Sequence, residues 1–233
     1  SDVCSSDLTK LKNHDAYLET LRMSLEKEKK KLNKQCLAVS KIRKSYAVKL
    51  TGAVTEALRD LNFLDVRVEM NFAKTADYTG NGFDDAEFLI STNPGEPLKP
   101  LGKVASGGEL SRIMLAIKTV LADQDAVGTL IFDEIDSGIS GRTAQMVSEK
   151  MNVLGRKHQI ICITHLPQIA AMADAHYLIE KSVKKKTTIS TIRSLGREES
   201  IEELARMLGG VEITDTVRKS AGEMKELAEN KKR

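Results

Sequence analysis

Two short runs without a single charge, residues 129–132 (Thr-Leu-Ile-Phe) and 159–164 (Gln-Ile-Ile-Cys-Ile-Thr), constrain this chain more than any other feature. Each is too short for a buried helix and too apolar for a strand with one wet face, so the pattern predicts two buried parallel strands. Residues 141–154, between them, carry helical spacing. A helix joining two parallel strands makes a right-handed βαβ crossover. Asp133 and Glu134 follow the first run, and His165 follows the second. Sheets of this kind hold ligands at the carboxyl ends of neighbouring strands, so Glu134 and His165 are expected to emerge on one edge.

These residue types suit one chemistry. Asp133 can organise Mg²⁺, largely through water, and Glu134 can polarise an attacking water molecule. His165 can donate a hydrogen bond to a terminal phosphate. The plainer alternatives are a surface Asp-Glu pair that merely opens a loop and a structural histidine at a strand end. Charge straight after four apolar residues, the loop Ile135-Asp136-Ser137-Gly138, and the matching position of both motifs weigh against them.

A third signal lies upstream. Ser106-Gly107-Gly108-Glu109 opens an amphipathic segment with apolar residues at Leu110, Ile113, Met114, Ile117 and Leu121. Glycines let backbone N–H groups approach an oxyanion, the helix N-terminus adds partial positive charge, and Ser106 brings a hydroxyl. An ordinary glycine-rich helix cap is the competing reading.

The N-terminal part has a different rhythm. Leu18, Leu25, Leu32, Val39, Tyr46 and Ala53 recur every seven residues, and a partial second stripe runs through Leu21, Cys36, Ile42, Leu50, Ala57 and Leu61. Residues 9–62 contain no proline and one glycine, Gly52, which predicts a long coiled-coil helix. Polar Glu28, Gln35 and Lys49 in the second stripe imply modest pairing that needs a partner strand. Between Thr9 and Asp60 there are 13 Lys/Arg against 6 Asp/Glu, whereas the whole chain carries only +3. Such an arm permits a nucleic-acid partner, although a solvated helical face is the commoner meaning of the same pattern. Lys41–Lys49 and Lys184–Lys186 are candidate phosphate contacts on the same terms. Residues 1–8 lack apolar periodicity and look like the translation of a sequencing-adapter oligonucleotide, so they are expected to be a non-native tail.

After Asn62 the period changes to two. Strands are expected over 66–72 and 86–91 with a turn at 78–82, then a firm loop at 93–97. Further strands are expected over 176–180 and 187–192, and helices over 201–208 and 215–227. No stretch is long and apolar enough to span a bilayer. Three scattered cysteines make neither a disulfide scaffold nor a zinc site, so a reducing cytosolic compartment is the default.

Taken together, the three motifs resemble the signature motif, Walker B, D-loop and H-loop of an ABC-type ATPase head. The wording around them, including Pro94 to Arg112, Thr164-His165-Leu166-Pro167-Gln168 and Leu204 to Gly210, resembles the RecN family of bacterial DNA-repair proteins within the SMC-like group. That resemblance implies an α/β fold: the C-terminal lobe of an ABC/SMC-type P-loop ATPase head (63–233) preceded by the returning coiled-coil strand (9–62). It implies ATP and Mg²⁺ as cofactors, and DNA, a second head and an N-terminal lobe as partners. It also implies a cytoplasmic, nucleoid-associated setting without a membrane. Glu134 would be the general base, Asp133 would serve Mg²⁺, and His165 would hold the γ-phosphate. Ser106, Gly107, Gly108 and Glu109 would address nucleotide held by the other head, and Asp136 would lie in the D-loop across the seam. No Gly-x-x-x-x-Gly-Lys-[Ser/Thr] occurs in the sequence, so little ATP hydrolysis is expected from this chain alone. Two other readings stay open at this point: another SMC-like chromosome-maintenance ATPase, or a non-enzymatic coiled-coil DNA-binding module.

Overall fold

The computed structural model describes residues 2–104, 106–184, 187–210 and 212–232, with side chains described outside 2–12 and 182–188. It divides into two compact units, each discontinuous in sequence: 1–49 with 70–87, and 50–69 with 88–233.

The first unit is built on α1 (Asp2–Arg59) and the tip of a hairpin between β1 (Arg67–Thr79) and β2 (Gly82–Ser91). Helix α1 runs through residues 2–8 although they have no apolar stripe of their own, because extending a long helix costs far less than nucleating one. Both strands extend beyond the expected 66–72 and 86–91, and the reason is tertiary. The hairpin tip packs along α1, where Cys36, Ser40 and Ala47 are buried. Asp84 accepts hydrogen bonds from Ser40 Oγ (2.7 Å) and Arg43 Nη1 (3.1 Å), and the Lys44 ammonium lies 5.8 Å from the centre of the Phe72 ring. The hairpin turns at 80–81, with Thr79 Oγ1 donating to Gly82 O at 2.8 Å. The seven-residue stripe itself stays open: Leu18, Leu25, Leu32, Val39 and Tyr46 are all exposed.

The second unit has its main core where Val54, Leu58, Leu61 and Phe63 meet Ile113, Leu115 and Ile117 of α2 (Gly107–Val120). Val147, Met151 and Leu154 of α3 (Gly141–Gly155) complete that core. Strands β4 (Thr129–Phe132) and β5 (Gln159–Cys162) pair in parallel, Thr129 opposite Gln159 and Phe132 opposite Cys162, with α3 as the crossover. The expected βαβ unit is therefore present, but its strands are not buried on both faces. Phe132 is buried, whereas Ile131, Ile161 and Ile163 are 68%, 45% and 48% exposed. Parallel strands with one bare apolar face lack a covering layer among the described residues.

Strand β3 (Lys99–Pro100) pairs antiparallel with the end of β2, and a 3-10 turn at Leu101–Lys103 leads toward α2. A short helix, α4 (Pro167–Ala171), follows β5 and was not evident in the sequence because it spans little more than one turn. Strands β6 (His176–Lys184) and β7 (Thr187–Leu195) form an antiparallel hairpin longer than expected. Of the basic turn 184–186, Lys185 and Lys186 lie outside the described residues. Two helices finish the chain, α5 (Arg197–Gly209) and α6 (Asp215–Lys232). Gly210, at φ +68°, ends α5, in keeping with the expected stop at Gly209-Gly210. Ala170, Ala171, Leu204, Ala205 and Ala221 form a second, alanine-rich core here.

Candidate functional site

Parallel pairing carries both strands to the same end. The Ile163 N–H donates to Phe132 O at 3.0 Å, one step beyond the last strand residues. There the chain releases Asp133-Glu134 from β4 and Thr164-His165 from β5. Helix α2 starts at this same end. Its Ser111 hydroxyl donates to Asp133 O at 3.0 Å, so the three segments singled out in the sequence do meet.

The loop after β4 is tightly folded. Asp133 Oδ1 accepts the Glu134 N–H at 3.0 Å, and Glu134 O accepts the Ser137 N–H at 3.0 Å. Glu134 has φ +56°, in the left-handed region that costs a non-glycine residue about 1 kcal/mol or more. Strained backbone at a carboxylate of this kind is found where the surrounding structure dictates an orientation.

The glycine turn departs from expectation. The resemblance assigns this turn to nucleotide on a second head, whereas in the structure it lies against the loop of its own chain. A Cβ on Gly107 would sit 2.8 Å from Glu134 Oε2. A Cβ on Gly108 would sit 2.8 Å from Ser137 O and 3.0 Å from Glu134 O. Helix and strand run back to back, so the start of α2 necessarily returns to the end of β4. Ser106 is the N-cap of α2, its Oγ accepting the Glu109 N–H at 3.4 Å. The ordinary cap reading thus holds for the hydroxyl oxygen, whose hydrogen can still donate elsewhere. Glu109 lies in the first turn, where a negative side chain suits the helix dipole.

Asp136 is only 4% exposed and engages its own chain. Its Oδ2 accepts from Thr164 Oγ1 at 2.6 Å and from the His165 N–H at 2.8 Å, and lies 3.0 Å from His165 Nδ1. The His165 side chain is otherwise 73% exposed. Burial pushes the Cys162 thiol up to about 12, with the charges of Asp136 and Asp133 adding to the effect. That sulfur is no nucleophile at neutral pH.

Three contributors escaped the sequence reading. Arg112 is buried and donates from Nη1 to Ile135 O (3.2 Å) and Ser137 O (3.0 Å), with its guanidinium carbon 5.4 Å from the centre of the Phe63 ring. Burial lowers its pKa from the ordinary value, opposed by the Glu109 charge. Its place on one helical face with Gly108, Leu115 and Ala116 was the signal that could have marked it. Ser111 and Thr164 gave none, since a lone hydroxyl in a motif has no periodicity. Among the described residues no cluster of three or more His, Cys, Asp or Glu could hold a metal. Asp133 does offer one exposed carboxylate at the strand end, which fits a hard cation that keeps most of its water.

No protein-family model matches the chain. Among solved structures, the Smc head domain with a coiled coil and joint from Pyrococcus yayanosii is similar at a TM-score of 0.51 and 20% identity, covering 85% of this chain and 37% of that one. That likeness shows the fold: an α/β arrangement like that of an SMC-type head domain, of which this chain resembles the C-terminal lobe. Proteins named DNA repair protein RecN from Halalkalibacterium halodurans and Bacillus subtilis are 45% and 40% identical over 223 and 241 residues. That is 94% and 97% of this chain but 38% and 42% of those proteins, so the chain spans about two fifths of their length. A third, from Treponema pallidum, is 56% identical over 129 residues. The chain belongs to the RecN family.

Proposed function

We propose that the chain supplies the catalytic carboxylate end of a RecN-type ATPase that acts in DNA double-strand-break repair. The observation that carries this reading is the meeting of Asp133-Glu134 and Thr164-His165 at one end of the β4–β5 pair. Glu134 polarises the attacking water, and its fixed backbone aims the carboxylate. His165 faces the terminal phosphate through its exposed ring. Asp133 holds Mg²⁺ through water, and the ion, when bound, neutralises charge on the phosphates. Phosphoryl transfer to water depends on such positioning and charge compensation more than on covalent steps.

A phosphate loop has to come from elsewhere, since the sequence contains none. The bare Ile131, Ile161 and Ile163 face supports an additional layer packed on β4–β5, as the family's N-terminal lobe would provide. Ser106, Gly107 and Gly108 address nucleotide on a second head once Glu134 leaves the turn, because carboxylate and phosphate compete for one electropositive helix start. The exposed seven-residue stripe on α1 accepts a second helical strand, and the arm's basic balance suits DNA.

The test uses a chain that also carries a phosphate loop. Glu134→Gln is expected to retain ATP binding, to lose hydrolysis by about a hundredfold or more, and to prolong head–head engagement. Turnover near wild type would sink the assignment of the base.

A further inference from the structure

Asp136 is buried within its own chain. A carboxylate at 4% exposure is costly unless its charge is compensated, and among the described residues the polar contacts of this side chain are with Thr164 and His165. Thr164 is held at both ends: its hydroxyl donates to Asp136 Oδ2 and accepts the Leu166 N–H at 3.0 Å. The backbone of His165 is tied to the same oxygen, and its ring stands with Nδ1 3.0 Å from it.

The ring's orientation has a chemical consequence. A bare Nδ1 lone pair facing a carboxylate oxygen at 3.0 Å is repelled, whereas an N–H there is attracted. Asp136 therefore selects the form with a proton on Nδ1 and leaves Nε2 on the exposed side. A phosphate opposite Nε2 then favours the doubly protonated ring, one N–H for each anion. Without Asp136 the ring could rotate and present either nitrogen.

We propose that Asp136 is a positioning residue for His165: it fixes the imidazole through Thr164, the His165 N–H and Nδ1, so that Nε2 is the atom offered to phosphate. This rests on the reading of His165 as phosphate-facing, and the experiment separates the two. In the present chain, labelled with ¹⁵N-histidine, long-range nitrogen–proton spectra at pH 8 distinguish the tautomers of the four histidines, with His165→Gln assigning the signal. The wild type is expected in the Nδ1–H form. Asp136→Ala is expected to shift His165 toward the Nε2–H form that free imidazole side chains favour. Asp136→Asn keeps an acceptor for Thr164 and His165 and carries the test if the alanine variant does not fold; it is expected to give a mixture.

In an ATPase-competent chain, Asp136→Asn is expected to lower kcat by about tenfold with KM for ATP within about twofold, and to add nothing to His165→Ala. An unchanged tautomer in the folded Asp136 variants overturns the inference. So does normal turnover in Asp136→Asn where His165→Ala is slow, and that result leaves the ATPase reading standing. Normal turnover in His165→Ala overturns the phosphate-facing role of the histidine, and the inference with it.

Discussion

Glu134 Oε2 lies where it would be 2.8 Å from any Cβ placed on Gly107, so a carboxylate of the β4 loop and the first residue of α2 share one small space. Only glycine permits that approach. The turn that could cradle a phosphate is, in the free chain, beside a negative group of its own.

The two glycines are predicted to behave differently. A methyl on Gly107 meets the far end of a flexible side chain, which can swing away. A methyl on Gly108 meets the backbone oxygens of Ser137 and Glu134 at 2.8 and 3.0 Å, which cannot. Gly107→Ala is expected to change the melting temperature little, while Gly108→Ala costs about 1–3 kcal/mol, or several degrees. Equal melting temperatures for both variants would contradict the packing described.

Ser106→Arg puts a long cation at the start of α2. In a chain with a phosphate loop it is expected to leave nucleotide binding by a single head intact and to block ATP-dependent head engagement. Analytical ultracentrifugation with and without ATP reads this directly. Persisting ATP-dependent dimers would exclude the turn from the interface.

Arg112→Met removes the donor to Ile135 O and Ser137 O and keeps the apolar stem. A loss of about 2 kcal/mol is expected, since hydrogen bonds to charged groups are among the stronger ones. Urea unfolding measures it. Arg112→Lys should recover only part, because an ammonium is more strongly hydrated and lacks the planar face that lies 5.4 Å from the Phe63 ring centre. Full stability in Arg112→Met would show the loop to be held by other means.

Acid should loosen the C-terminal helices through His176. Its Nδ1 lies 2.9 Å from Ser200 Oγ, and burial, then the Lys225 charge, holds its pKa below the ordinary 6.5, against the charge of Glu203. The unfolded chain then takes up a proton that the folded one resists, so stability is whole above 6.5 and falls as pH drops through the lower folded value. Thermal melts between pH 8 and about pH 5 should show this slope, and His176→Gln should flatten it. An unaltered slope in that variant would assign the effect to other groups.

Particular elements show why some features were legible in the sequence and others were not. The β4 bounds, the α3 crossover and the stop of α5 at Gly210 follow from local rules: charge-free runs, period 3.6, and glycine at positive φ. The meeting of Asp133, Glu134 and His165 at one edge was also readable, since parallel strands must send their carboxyl ends the same way. The length of the β1–β2 hairpin was not, because Asp84 finds Ser40 and Arg43 more than forty positions away.

The order of apolar and charged residues alone determined which segments become helix or strand, and which functional groups end the two parallel strands. Tertiary structure alone decided which side chains those groups touch: Asp136 turned inward to Thr164 and His165, Gly108 pressed against Ser137, and Arg112 buried beside Phe63. Local spacing sets backbone geometry within a few residues. Burial and hydrogen-bond partners depend on which distant segments return to the same place, and that is settled only when the core closes.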